Sequence, residues 1–139
     1  MKADKLLKSL ENDAHEDILM TTTNLIAKEK NDILQNLQLS REELKILHKK
    51  LKQYRFIDEM NQFKSGNYIR WINLSNPDNL KLTNGAFFMD FKILDDECHI
   101  LCKNACHQII EIKLDECIVF QKLSNQEQII LSAVDYLSK

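Results

Sequence analysis

Apolar residues recur at spacings of three and four through the first third of the chain. Leu7, Leu10, Ala14 and Ile18, then Leu25, Ile33 and Leu37, fall on one helical face. The run Thr21-Thr22-Thr23-Asn24 interrupts that face. β-Branched side chains lose freedom against the preceding turn, so the pattern predicts one long helix with a bend or break there. Ser40-Arg41-Glu42-Glu43 has the form of a capping box, and Leu39 and Leu44 have the spacing of a hydrophobic staple. These signals predict a second helix from Arg41 to about Phe63. Leu44, Leu47, Leu51 and Tyr54 then form a coiled-coil-like seam. Two helices joined by a short turn are expected as an antiparallel hairpin, with Lys45 and Lys49 near Asp32 and Glu29.

The texture changes near Lys64-Ser65-Gly66, where aromatic and β-branched runs begin, separated by turn residues. Tyr68–Leu74 alternates as a half-buried strand. Asn76-Pro77-Asp78 reads as a turn, Leu80–Leu82 as a short strand and Asn84-Gly85 as a two-residue hairpin turn. Phe87, Met89, Phe91 and Ile93 alternate with Phe88, Asp90, Lys92 and Leu94. Asp95-Asp96 turns the chain into Cys98–Cys102, and Lys103-Asn104-Ala105 turns it into His107–Lys113. A last strand covers about Cys117–Gln121. Ser124-Asn125-Gln126-Glu127 is a second capping box, and the helix behind it shows Ile130, Ala133, Val134 and Leu137 on one face. The expected fold is α+β. A helical hairpin (residues 1–64) precedes a small antiparallel β-barrel or curled sheet of five to six strands, closed by a C-terminal helix (residues 65–139).

Composition narrows the function. Lys+Arg is 19 and Asp+Glu is 21, a formal charge of −2. Residues 1–64 hold 12 basic and 11 acidic side chains; residues 65–139 hold 7 and 10. Neither half shows the basic excess expected of dominant phosphate binding. With only Gly66 and Gly85 there is no Gly-rich phosphate cradle. No run of about 18 apolar residues predicts a membrane span, and no secretory leader is visible behind Met1-Lys2, which predicts a cytoplasmic protein.

Cys98, Cys102, Cys106, His107 and Cys117 are soft enough to ligate zinc. On one strand, however, Cys98 and Cys102 lie about 13 Å apart at 3.3 Å per residue. Buried thiols are therefore the simpler expectation, and no cofactor is expected. Lys45, Lys49, Lys52 and Arg55, with His48, cluster on one side of the predicted second helix, beside the Leu seam. This stripe suits phosphate or an acidic partner. Tyr68 and Arg70 flank Ile69 before Trp71, a pattern able to stack nucleobases, although a lone Trp more often anchors a core. His15 and Glu16 sit on a charged helical surface, and His99 is too close to Cys98 for a catalytic pair. No hydrolase or metalloprotease motif is present, so no enzyme is expected.

Gly66-Asn67-Tyr68-Ile69-Arg70-Trp71-Ile72-Asn73-Leu74 and the stretch from Ile118 to Ala133 resemble small uncharacterised proteins of giant nucleocytoplasmic DNA viruses. The resemblance covers residues 64–139 and implies context alone: host cytoplasm or virion. The leading expectation is a non-catalytic assembly or adaptor module acting through protein contacts or self-association. Its interface is the seam Leu44, Leu47, Leu51 and Tyr54, because Leu6, Leu19, Leu25, Ile26, Ile46 and Phe56 have no assigned partner. The alternative is a nucleic-acid-binding module using Lys45–Arg55 with Tyr68 and Arg70.

Overall fold

A computed structural model describes residues 22–137. The apolar positions Leu6 to Leu19, with His15 and Glu16, lie outside the described residues. The described chain is α+β. Its elements are α1 (Thr23–Gln35), α2 (Arg41–Lys50), β1 (Tyr54–Ile57), a 3₁₀ turn (Met60–Gln62), β2 (Tyr68–Asn73), β3 (Ala86–Leu94) and β4 (Glu97–Lys103). There follow β5 (Ile109–Lys113), a second 3₁₀ turn (Leu114–Glu116), β6 (Cys117–Lys122) and α3 (Asn125–Leu137). Among the described residues two compact units result: those up to Leu44 together with those from Leu123 onward, and Lys45–Lys122. Among the described residues no helix is long and apolar enough to cross a membrane.

In the first unit the threonine run starts a helix. Thr22 caps α1, its side chain accepting from the Leu25 amide at 3.2 Å. Ile26 of α1 packs against Ile130 and Leu131 of α3, with Leu123 and Val134 half-buried beside them. Each such side chain taken from water contributes about 1.5–3 kcal/mol. Thr23 ties the two helices again, its amide donating to Asp135 Oδ1 at 3.0 Å. The second capping box forms as read: Glu127 N donates to Ser124 Oγ at 3.1 Å, and Ser124 N to Glu127 Oε1 at 3.0 Å. At α2 the Glu43 amide donates to Ser40 Oγ at 3.2 Å. Asp32 pairs within α1, with Lys28 at 3.6 Å.

The second helix is shorter than expected. It ends at Lys50, behind a last turn of His48, Lys49 and Lys50 whose positive charge suits a helix C-terminus. Tyr54-Arg55-Phe56-Ile57 then pairs antiparallel with Lys122-Gln121-Phe120-Val119. Aromatic and β-branched residues with an open strand beside them favour the sheet over two more helical turns.

The second unit is one antiparallel sheet in the order β1-β6-β2-β3-β4-β5. Its end strands, β1 and β5, do not pair, so the sheet is open and the barrel is not closed. Only Tyr68↔Phe87 and Ile69↔Ala86 join β2 to β3. The sheet therefore has two three-stranded halves, and both feed one apolar cluster. Ile57, Ile69, Trp71 and Val119 come from one half; Ala86, Phe88, Ile100 and Cys102 come from the other. Phe63, from the β1–β2 connection, packs on both Phe88 and Phe91, with ring centroids 5.1 and 5.0 Å away. Gln121, fully buried, holds that connection: its Nε2 donates to the Gln62 carbonyl and its Oε1 accepts from the Lys64 amide, both at 3.0 Å.

Two irregularities set what faces outward. Phe88 opposes Cys102 but Asp90 opposes Leu101, so Met89 is the extra residue of a bulge. Phe88 and Phe91 thereby share the core side, and Phe87 turns out. Asn84-Gly85 is not a hairpin turn. Ile69 opposes Ala86 and Ile72 opposes Leu82, so one residue too many lies between Leu82 and Ala86. Gly85 absorbs it at φ +93°. The two-residue turn falls instead at Asp95-Asp96, both at positive φ, between the paired Leu94 and Glu97.

Candidate nucleic-acid interface

Register places a line of side chains across one end of the sheet face opposite the Trp71 cluster; farther along that face, in the β1-β6-β2 half, Ile72, Ile118 and Phe120 are buried. Tyr54 stands opposite Lys122, Tyr68 opposite Phe87, Phe87 opposite Lys103 and Lys103 opposite Ile109. The Ile69↔Gln121 pair sets Lys122 beside Tyr68. At about 4.8 Å between strands the line runs roughly 24 Å along the sheet. It holds three aromatic rings, Tyr54, Tyr68 and Phe87, and two ammonium groups, Lys122 and Lys103, and ends on Ile109. Phe87 is 46% exposed, and Lys103 and Lys122 are exposed. Phe87 and Tyr68 meet edge to face with centroids 4.9 Å apart.

Backbone contacts hold the aromatic end in place. Tyr68 Oη donates to the Asn84 carbonyl and Arg70 Nε to the Thr83 carbonyl, each at 2.8 Å. Tyr54 joins the same group. Burial raises its phenol above the ordinary range; Arg70 works against that rise and Tyr68 adds to it.

Two hollows adjoin the line. One, of about 440 Å³, is lined by Phe87, Met89, Lys103, Ala105 and His107 among others; its neighbour, of about 370 Å³, by Tyr68, Trp71, Asn84, Ala105 and Cys106. Both volumes fall in the range of ligand sites. Ala105 belongs to both, on the β4–β5 turn. Asn104 stiffens that turn, its Oδ1 accepting from the Cys106 and Gln108 amides at 3.0 and 2.9 Å. His107 sits there at φ +62°.

The residues named from sequence are distributed differently. Leu44 and Leu47 are half-buried on α2, Leu51 is fully buried just beyond it, and Tyr54 is on β1. The seam is therefore not one helical stripe. The basic stripe also divides: Lys45 and Lys49 are exposed on α2, Lys52 is exposed in the following turn, and Arg55 is buried on β1. The set Cys98, Cys102, Cys106 and His107 is not brought together. The described residues contain no group of three His, Cys, Asp or Glu side chains able to hold a metal ion. Cys98 and Cys102 share the core side of β4, and Cys106 is exposed on the turn. Cys102 Sγ donates to the Ile110 carbonyl at 3.6 Å.

His99, unassigned from sequence, is buried on the outer face. Its Nε2 lies 3.7 Å from Glu97 and its Nδ1 3.5 Å from Glu111. Lys113 adds to the set at 3.3 Å from Glu97, and Lys92 at 3.5 Å from Glu111. The hydrogen bond and charge of Glu97, then the charge of Glu116, raise Lys113 above its ordinary value. Phe87, Lys103 and Lys122 also escaped the sequence reading, because only strand register aligns them. Compared with family models, curated proteins and solved structures, the chain matches none.

Proposed function

We propose that this protein is a non-catalytic module that binds single-stranded nucleic acid at the sheet end that carries Tyr68, Phe87, Lys103 and Lys122. The supporting observation is the line Tyr54-Lys122-Tyr68-Phe87-Lys103, in which three aromatic rings are interspersed with two ammonium groups beside two hollows. Unpaired bases stack on aromatic side chains regardless of sequence, and the interleaved cations meet the phosphates between them. Residues 45–122 hold 12 basic and 10 acidic side chains, so the unit with the aromatic line is the more cationic part of a chain whose net charge is −2.

Fluorescence anisotropy with labelled single-stranded DNA and RNA at low salt tests this reading. A stacked base contributes about 1–3 kcal/mol, so Phe87→Ala weakens binding about 5- to 150-fold. Phe87 is half exposed and outside the core cluster, so its loss leaves the fold intact, which circular dichroism checks. No binding at low salt, or full binding by Phe87→Ala, overturns the proposal.

A further inference from the structure

β5 is an edge of the sheet, with no further strand beside it among the described residues. In its register with β4, Ile109 opposes Lys103, Glu111 opposes Leu101 and Lys113 opposes His99. In the turn before it, the Asn104 amide donates to the Gln108 carbonyl at 3.0 Å. Hydrogen-bonded pairs alternate from that point, so Ile110 and Ile112 bond to β4 while the amides of Ile109, Glu111 and Lys113 and the carbonyls of Ile109 and Glu111 point away from it; the Lys113 carbonyl starts the following 3₁₀ turn. Among the described residues no loop or turn backbone bond takes up the outward amides of Ile109, Glu111 and Lys113 or the outward carbonyls of Ile109 and Glu111. The strand contains no proline and no bulge, and Ile109 is 66% exposed. Sheets ordinarily block such an edge.

We infer that β5 pairs antiparallel with β5 of a second copy of this chain, about a twofold axis. Charge selects this occupant. A twofold contact must be self-complementary, and β5 presents an acid and a base two residues apart in its outward-bonding row. One register sets Glu111 opposite the partner's Lys113, and the reverse pair forms across the axis, with Ile112 at the centre. Opposite charges across a strand pair stabilise it, whereas the neighbouring register sets Glu111 against its own copy and is disfavoured. The inference does not depend on nucleic-acid binding.

Sedimentation equilibrium over a range of concentrations is the test. The full chain moves from 16.3 kDa toward twice that mass as concentration rises. Glu111→Pro removes an outward amide without touching the β4 ladder, and its mass stays at the monomer value. Lys113→Glu sets like charges across the axis and raises the dissociation constant at least about tenfold. Adding Glu111→Lys to it restores the dimer. That double exchange worsens the pairs with Glu97 and Lys92 inside each copy, so recovery reports only the contact between copies. A monomer mass for the unaltered chain at every concentration overturns the inference. So does a dimer that survives Glu111→Pro or Lys113→Glu, or a double exchange that stays monomeric.

Discussion

At the scale of single residues, the cysteines show how much chemistry burial decides. Burial pushes the Cys102 thiol up to about 11, with Cys117 adding to the rise, and it pushes Cys117 to about 11 with a contribution from Glu116. Thiolate is the reactive form, so both are slow nucleophiles in the folded chain. Iodoacetamide at pH 8 should label exposed Cys106 first and reach Cys102 and Cys117 only after unfolding, read by mass spectrometry of the peptides. The same shifts set a pH dependence. These thiols keep their protons to higher pH in the fold than their ordinary value of 9.0 allows. The folded state therefore binds more protons between about 9 and 11. The stability they contribute is complete below pH 9 and is lost as the pH rises toward 11. The urea midpoint should fall across that window, and less steeply in Cys102→Ala with Cys117→Ala. An equally steep fall in the variant contradicts the assignment.

At the scale of elements, local signals were legible and pairings were not. Ser124 and Glu127 announce their helix because both partners lie within four residues. Strands β2 to β6 were found within a few residues because alternation and turn residues are local. The end of α2 was not found. Leu44, Leu47, Leu51 and Tyr54 keep helical spacing past the point where the helix stops, and what stops it is the distant strand Val119–Lys122. The charged last turn His48-Lys49-Lys50 was the available local signal. Phe87 was assigned to the same side as Phe91 because the extra residue, Met89, leaves no mark in the alternation. Gly85 is the element-scale device that lets the chain lie against the Tyr68 ring of the proposed site. Both glycines have positive φ, +87° at Gly66 and +93° at Gly85, but they differ in surroundings. A Cβ at Gly66 meets nothing within 4 Å, whereas at Gly85 it would fall on the Ile69 carbonyl and the Tyr68 ring. Gly66→Ala should cost about 1–2 kcal/mol, the left-handed penalty alone. Gly85→Ala should cost distinctly more and should also displace Tyr68, lowering nucleic-acid affinity. Urea titrations of the two variants check the order; equal losses would show that the strand can shift to accept the side chain.

At the scale of the whole molecule, net charge bears on the proposed ligand. The chain is net negative, so long-range attraction to a polyanion is weak and the proposed binding rests on contacts at the sheet face. Acidic residues gather at the Asp95-Asp96-Glu97 hairpin end, away from Phe87 and Lys103 at the other end of β3 and β4. A duplex offers the aromatic line no free base faces, leaving phosphate contact alone, and a chain of net charge −2 gains little from that. Single strands should therefore bind at least about tenfold more tightly than a duplex of equal length. Their salt dependence should also be shallow. If Arg70, Lys103 and Lys122 each meet one phosphate, the logarithm of the binding constant falls with the logarithm of salt at a slope of about −2. Lys103→Glu should lower the magnitude of that slope, while Phe87→Ala should lower affinity at every salt concentration and leave the slope unchanged. A steep slope with no preference for single strands would assign the binding to diffuse surface charge and remove the aromatic line from the mechanism.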